Sequence, residues 1–225
     1  MSFSKLLKNN CSKVTVIAPA TDFQAYMPID LSESNSNLHS IDLNDAEVFS
    51  KYILKALEIQ SKKIAYGGYL EKRLIYNRSS HFKNKSSENQ RDIHLGLDFW
   101  SFEGTAVMAA LDGRVHSFKN NKAHGDYGPT IILEHHLKGV KFFTLYGHLS
   151  LKSIKALKIG IRVHAGEVIG DLGAPSINGD YPPHLHFQIV RDLEGNFGDY
   201  PGVCTEKELD FYTQNCPDPN LLLKL

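Results

Sequence analysis

The stretch PPHLHFQIV, residues 182–190, gives the clearest indication of the fold. His184 and His186 alternate with apolar residues directly after two prolines, which is typical of a β-strand. Successive side chains point to opposite faces of a strand, so both imidazoles are expected on the same face. Two neutral imidazoles are costly to bury without hydrogen-bonding partners. The rest of the sequence must supply such partners, or the pair must lie at the surface.

Short β-rich segments surround this strand from Arg91 onward and alternate with turn signals. This pattern predicts a mainly β fold of antiparallel strands, arranged as a sheet, a sandwich or a barrel. Asp112-Gly113 and Lys138-Gly139 each separate two such segments, as the turn of a β-hairpin does. A further strand pair is expected around Gly166. No helix of ordinary length fits between residues 91 and 190.

The first ninety residues have a different character. Asn44, followed three residues later by Glu47, forms a capping-box pattern, and apolar residues then recur at helical spacing. One amphipathic helix is therefore expected from about residue 45 to 62, and the polar segment 81–90 is expected to be a surface loop. The apolar stripe of the helix comprises Val48, Phe49, Tyr52, Ile53, Ala56 and Leu57.

The expected organisation has three parts. Residues 1–90 form a mixed α/β N-terminal extension that contains the helix. Residues 91–191 form the β domain. Residues 192–225 form a C-terminal tail that packs on this domain.

The composition argues against several classes of partner. The chain has 25 Lys and Arg against 25 Asp and Glu, so no net charge attracts nucleic acid or an anionic membrane. No apolar stretch is long enough to span a bilayer, and no secretory signal is recognisable. A cytoplasmic location is expected, with export by another route left open. Cys204 and Cys216 could form a disulfide in an oxidising compartment, but the missing signal argues against it.

A second motif carrying polar side chains is HLGLD, residues 94–98. His94 and Asp98 share one face of a strand, because Gly96 and the aromatic pair after Asp98 favour a strand over a helix. Together with one histidine of the His-x-His pair, they make a three-ligand set suited to zinc with an open fourth position. An open position is typical of catalytic zinc, whereas structural sites are closed and usually rich in cysteine. Spacing alone leaves open whether His184 or His186 is the ligand.

His148 is a further candidate, because it follows Gly147 at the end of a predicted strand, where catalytic groups are common. Together, these motifs resemble the zinc metallopeptidases of the lysostaphin and LytM type, whose pattern is H-x-x-x-D, a lone histidine and H-x-H. The resemblance covers residues 91–191. It rests on the segments HLGLD, GTAVMAALDGRV, LYGHLS, VHAGEVIGDLG and PPHLHFQI.

The resemblance implies both a fold and a set of site residues. The fold would be of the duplicated hybrid motif type, an antiparallel, sandwich-like β-structure with the site on the floor of a groove. The ligands of Zn2+ would be His94, Asp98 and His186. The catalytic histidines beside the metal would be His148 and His184.

The implied activity is that of a zinc metalloendopeptidase. Bound zinc lowers the pKa of water to about 7 and polarises the scissile carbonyl, while a nearby histidine takes the proton. Family substrates are usually peptides of bacterial peptidoglycan, often beside glycine. Two departures bear on the substrate: the missing signal, and the absence from residues 84–92 of a tyrosine that many members carry. A weaker likeness of the flanking segments, to large bacterial proteins that also carry a kinase and an aminotransferase, implies association with such enzymes.

Two other functions stay open. A non-catalytic binding or regulatory module would keep the fold and the zinc, and the missing tyrosine favours it. A cupin-like iron oxygenase would also use His-x-His with a carboxylate, but residues 187–191 hold no glutamate.

Other polar residues have competing interpretations. Arg91, Asn178 and Tyr181 could line the groove or be ordinary loop residues. The histidines expected to be structural or exposed are His39, His81, His116, His124, His135, His136 and His164, of which His39 and His81 are conceivable fourth ligands from the N-terminal segment.

Overall fold

The computed structural model describes residues 2–18, 23–78 and 90–225 and is mainly β, as predicted. Its strands are β1 (Tyr26–Pro28), β2 (Ile64–Gly67), β3 (Ile93–His94), β4 (Leu97–Trp100), β5 (Ala106–Met108), β6 (Gly113–Asn121), β7 (Gly128–Leu137), β8 (Val140–Gly147), β9 (Arg162–Val163), β10 (Val168–Asp171), β11 (His184–Val190) and β12 (Val203–Cys204). Its α-helices are α1 (Phe3–Asn10), α2 (Ala46–Ile59), α3 (Leu151–Lys155), α4 (Leu209–Asn215) and α5 (Asn220–Leu223). The predicted loop over residues 81–90, apart from Gln90, and His81 lie outside the described residues.

The central sheet has eight strands in the order β1-β2-β4-β11-β8-β7-β6-β9. β1 and β2 are parallel, and the other neighbouring pairs are antiparallel. β11 lies between β4 and β8, so the His-x-His strand is in the middle of the sheet. His186 is directly opposite Asp98, although 88 positions separate them along the chain. The strand register therefore brings the two motifs together.

One of the two predicted hairpins is present. Leu137 pairs with Val140 across Lys138-Gly139, and both turn residues have positive φ, at 50° and 81°. Positive φ at both positions matches the twist of the flanking strands, and a two-residue loop of this kind closes a hairpin. The β7–β8 hairpin is thus confirmed.

The hairpin predicted at Asp112-Gly113 is wrong. β5 pairs with β10, whereas β6 begins at Gly113 and pairs with β7 and β9. Gly113 is needed for close packing instead, because a Cβ there would lie 2.5 Å from the carbonyl oxygen of Glu134. The strands on both sides of Gly166 exist, but they pair with β6 and β5 rather than with each other.

The predicted amphipathic helix corresponds to α2. Its N-cap is Asp45 rather than Asn44, and the Asp45 carboxylate accepts hydrogen bonds from the backbone N–H groups of Glu47 and Val48, at 2.8 and 3.1 Å. A carboxylate at this position also interacts favourably with the positive end of the helix dipole. Phe49 is buried, as are Ile53 and Leu57, whereas Val48 is 36% exposed. The capping prediction was thus wrong by one residue.

Backbone contacts hold β3, the strand that contains His94, on both sides. β12 pairs with it on one side, with Val203 opposite His94. Residues 70–73 run along the other side, where His94 donates its N–H to Glu71 and Leu70 donates to the His94 carbonyl. β2 also extends the sheet beside β4. The domain division at residues 91 and 191 stays a prediction.

Two further observations concern the whole of the described chain. None of its described helices is long and apolar enough to cross a membrane. Cys11, Cys204 and Cys216 are buried, free thiols.

Candidate metal centre and active site

Three side chains converge at one point, although His94 and Asp98 lie on two strands of different sheets and not on the single strand predicted. His94 comes from β3, Asp98 from β4 and His186 from β11, and one ligand atom of each lies within 4.8 Å of the others. His94 Nε2 is 2.8 Å from His186 Nδ1. Asp98 Oδ1 lies 3.3 Å from the first of these nitrogens and 3.1 Å from the second. Two imidazole nitrogens and one carboxylate oxygen thus face a common centre.

The opposite atoms of these three side chains have other partners. His94 Nδ1 donates to the Gly68 carbonyl at 2.8 Å, and His186 Nε2 donates to Gln188 Oε1 at 2.8 Å. Asp98 Oδ2 accepts a hydrogen bond from Arg73 Nη1. These contacts fix the tautomers in which His94 Nε2 and His186 Nδ1 present lone pairs to the centre.

Burial and charge give His94 and Asp98 the protonation states that a cation needs. Burial, with Arg73 adding to it, lowers the pKa of His94 to about 3. Burial alone would raise the pKa of Asp98, but His94 and Arg73 outweigh it and hold this pKa well below its usual value. At neutral pH the imidazole is neutral and the carboxylate is charged. Metal ligands must be in these states, and the donor set fits Zn2+ with a further position open.

His148 and His184 lie beside this centre with their rings in contact and tilted by 34°. His148 directly follows β8, and its ring centroid is 4.1 Å from that of His184 and 6.3 Å from that of His186. The Nδ1 atoms of His148 and His184 donate to the carbonyls of Asn178 and Pro182, each at 2.7 Å. Their Nε2 atoms are therefore left as proton acceptors.

Burial keeps both of these histidines neutral. It lowers the pKa of His184 to about 4. Burial, followed by the proximity of His184, also lowers the pKa of His148 well below its usual value. A neutral imidazole with a free Nε2 can accept a proton from a nearby water molecule.

Close packing positions the five side chains. A Cβ at Gly96 would lie 2.5 Å from His186 Cε1, so only glycine leaves room for this imidazole. The ring of Trp100 stacks on His184, with centroids 5.5 Å apart. Tyr181 contacts both His148 and His184 edge-on.

The outcome for the predicted groove residues is mixed. Tyr181 lines the cavity at the site. Asn178 instead supports the site from behind. Its side-chain amide nitrogen donates to the backbone carbonyls of Gly173 and Tyr181, and its backbone carbonyl accepts a hydrogen bond from His148 Nδ1. Arg91 lines the cavity and donates twice to the Val203 carbonyl.

Sequence reasoning missed four residues around the ligands. Gln188 could have been found, because it lies two positions after His186 on the same strand face. Arg73 and Tyr76 come from a segment without a recognisable motif. Tyr127 lies before β7, and its hydroxyl is 3.4 Å from His186 Nε2.

Gln188 is itself held in place by the C-terminal part of the chain. Its amide nitrogen donates to the Pro201 carbonyl and to Cys216 Sγ, each at 3.1 Å. Burial raises the pKa of the Cys216 thiol to about 12, so this sulfur stays protonated.

A cavity of about 220 Å³ lies over the site. Its lining includes His94, Asp98 and His186, the two histidines beside them, and Arg91 with Val203. The N-terminal segment forms an apolar wall. That wall comprises Leu31, Leu38, Leu43, Phe49, Ile75 and Tyr76.

The positions of three of the histidines expected to be structural or exposed bear on the predictions. His39 is exposed, and its imidazole lies 3.4 Å from the Glu33 carbonyl, so it is not a fourth ligand here. Neighbouring residues on a strand point to opposite faces, so the sequence predicts that one of the adjacent His135 and His136 is exposed. His136 is exposed, whereas His135 is buried against the Asp112 carbonyl and Thr144, which confirms the prediction.

Comparisons with known proteins agree with this geometry. Residues 92–197 match the profile of Peptidase family M23. A DD-carboxypeptidase/endopeptidase, Mpg, of Neisseria meningitidis is 35% identical over 125 residues, which cover 54% of this chain and 26% of that protein. A peptidoglycan DD-endopeptidase, ShyC, of Vibrio cholerae is 33% identical over 102 residues, which cover 45% of this chain and 21% of that protein. The chain thus spans about a quarter of the length of these relatives.

A solved structure is also similar. The catalytic domain of the antimicrobial peptidase lysostaphin from Staphylococcus simulans is 26% identical, with a TM-score of 0.42, and the match covers 66% of this chain and 91% of that one. The motifs, the strand register that joins them and the family match agree. Residues 92–197 therefore belong to peptidase family M23, the family of the lysostaphin and LytM type that the sequence motifs predicted.

Proposed function

We propose that this chain is a zinc-dependent metallopeptidase that hydrolyses peptide bonds in peptidoglycan-derived peptides. The observation that carries the proposal is the convergence of His94, Asp98 and His186 beside the neutral pair His148 and His184. The family match supports the reaction. The activities after which the Neisseria and Vibrio relatives are named support the class of substrate.

The geometry supports a proposed role for each residue. Zinc held by His94, Asp98 and His186 would supply a Lewis acid and a water molecule of lowered pKa. His148 and His184 keep Nδ1 bonded to carbonyls, so each offers Nε2 as a base at neutral pH. The histidine that takes the proton becomes a donor and can pass it to the leaving amine. The cavity walls hold the peptide and exclude bulk water.

The test uses the purified full chain. Metal content is measured first, and hydrolysis of cross-linked peptidoglycan fragments and glycine-rich peptides is then followed before chelation, after it, and after zinc is restored. We expect about one zinc per chain and hydrolysis that is lost and regained with the metal. A metal-free protein that still cleaves would contradict the mechanism.

The alternative, a non-catalytic module that keeps the zinc, is not favoured, because all five residues are in place. It predicts zinc binding without cleavage of any tested peptide. Two further statements stay predictions: the cytoplasmic location, and the association with kinase or aminotransferase-type enzymes, whose support is the likeness of the flanking segments.

A further inference from the structure

Residues 67–76 contact two of the three proposed zinc ligands, His94 and Asp98. They lie outside residues 92–197, the range that matches the peptidase family. The Gly68 carbonyl accepts the hydrogen bond of His94 Nδ1. The ring of Tyr76 stacks on the His94 imidazole, with centroids 6.4 Å apart and planes at 20°. Arg73 contacts Asp98. The matched range begins only at residue 92, so these contacts come from the N-terminal extension.

Arg73 has the most constrained position in this segment. Its Nη1 bonds Asp98 Oδ2 at 2.5 Å, and its Nε bonds Glu71 Oε2 at 2.5 Å. The side chain is only 4% exposed, and the guanidinium lies 5.4 Å from the centre of the Trp100 ring. Glu71 is fixed in turn, because its other oxygen accepts from the Leu31 N–H. A planar guanidinium can bridge two carboxylates in this way, whereas a single ammonium group offers a different geometry.

From this arrangement we infer that Arg73 is a positioning residue of the metal centre. It occupies Asp98 Oδ2, so only Oδ1 is directed at the two histidine nitrogens. Arg73 thereby fixes the orientation of the carboxylate and the number of oxygens that it offers to a cation. The inference rests on the proposed zinc site and adds that the N-terminal extension helps to orient its ligands.

Loss of Arg73 affects zinc affinity in two opposite ways, through the lost positive charge and through the lost orientation of Asp98. The test must separate these two effects. Removing a positive charge near the site would by itself strengthen cation binding. Losing the contact that orients a ligand typically weakens metal affinity by about 10- to 100-fold. Because Glu71 neutralises Arg73 locally, we expect the orientation effect to be larger. Arg73→Met removes the bridge and changes the net charge, whereas the double variant with Glu71→Gln removes the bridge at constant net charge.

The experiment measures zinc affinity of the full chain by competition with a chromophoric chelator, and the visible absorption of the Co2+-substituted protein. We expect about 10- to 100-fold weaker zinc binding in both Arg73→Met and the double variant, with an altered Co2+ spectrum. Arg91→Met is the matched control for charge: it removes a positive charge from the same cavity without contacting a ligand, so zinc binding should not weaken and the Co2+ spectrum should stay as in the wild type.

Arg73→Lys provides a second route if Arg73→Met does not fold, since it retains the charge but cannot reproduce the bridge. It should also weaken zinc binding and alter the spectrum. Tighter zinc binding in Arg73→Met that returns to the wild-type value in the double variant would overturn the inference, as would wild-type affinity and spectrum in a folded Arg73 variant. Absence of zinc binding by the wild type would overturn the proposed function and this inference together.

Discussion

Gly96→Ala provides a direct test of how tightly the metal centre is packed. The new Cβ would lie 2.5 Å from His186 Cε1, and ordinary van der Waals contact begins at 3.4 Å, so a displacement of about 0.9 Å is required. The Phe187 carbonyl oxygen would also lie 2.9 Å from the new Cβ, but this backbone is a poor candidate to move, because Phe187 pairs with Leu97 on one side and Tyr146 on the other. The imidazole of His186 must therefore shift.

Two consequences of this shift can be measured. Overpacking of this kind costs about 1 to 3 kcal/mol in the free energy of unfolding. A metal ligand must hold its position to within about 0.5 Å, so zinc affinity should fall by at least about tenfold. Urea unfolding of the metal-free protein gives the first quantity, and chelator competition gives the second.

Gly160→Ala is the control for stability alone. Gly160 has a φ of +82°, and among the described residues no atom beyond its two chain neighbours lies within 4 Å of its added Cβ. The left-handed conformation should cost alanine about 1 to 2 kcal/mol without any contact to the site. Both variants should therefore lose stability, but only Gly96→Ala should lose zinc affinity. Zinc binding by Gly96→Ala within twofold of the wild type would refute the reasoning.

Three other predictions concern individual side chains. Replacing His148 or His184 with alanine should lower kcat by about 10²- to 10⁴-fold while zinc affinity is retained; peptide hydrolysis and metal titration measure the two, and unchanged hydrolysis would contradict the catalytic roles. Gln188→Leu leaves the His186 N–H without its acceptor and should weaken zinc binding by about 10- to 100-fold, as measured by chelator competition; equal affinity would refute this. Burial lowers the pKa of His135 to about 4, so the unfolded state takes up a proton below pH 6.5 that the folded state does not, and stability falls as the pH decreases from there towards 4. Between pH 6.5 and 5, His135 should account for a loss of about 2 kcal/mol, which urea unfolding of the metal-free protein and of His135→Gln would reveal; an equal pH dependence in both would contradict this.

The sequence predicted the parts of the site that follow from local periodicity. Alternation along residues 184–190 places His184, His186 and Gln188 on one face. The offset of four between His94 and Asp98 was interpreted as one strand face, but these residues lie on separate strands, β3 and β4. The resemblance, and not the spacing, identified His186 rather than His184 as the predicted zinc ligand. The described geometry is consistent with it, since His186 Nδ1 faces the other ligands while His184 Nδ1 bonds the Pro182 carbonyl.

Contacts between distant segments were not predictable from local patterns. The contact of Arg73 with Asp98 depends on the path of residues 70–73 beside β3, which no periodicity encodes. The Asp112-Gly113 prediction failed for a related reason. A turn signal describes only the turn, whereas the partners of β5 and β6 are selected by packing across two sheets.

Because Gln188 donates a hydrogen bond to Cys216 Sγ, the reactivity of this thiol can be used as a probe of the metal site. The thiol is fully buried, so a cysteine-specific reagent can react with it only when the surrounding structure opens. That opening releases Gln188, and with it the acceptor that orients His186. The rate of Cys216 alkylation therefore measures how often the ligand scaffold loosens, and zinc should slow that rate in proportion to its occupancy.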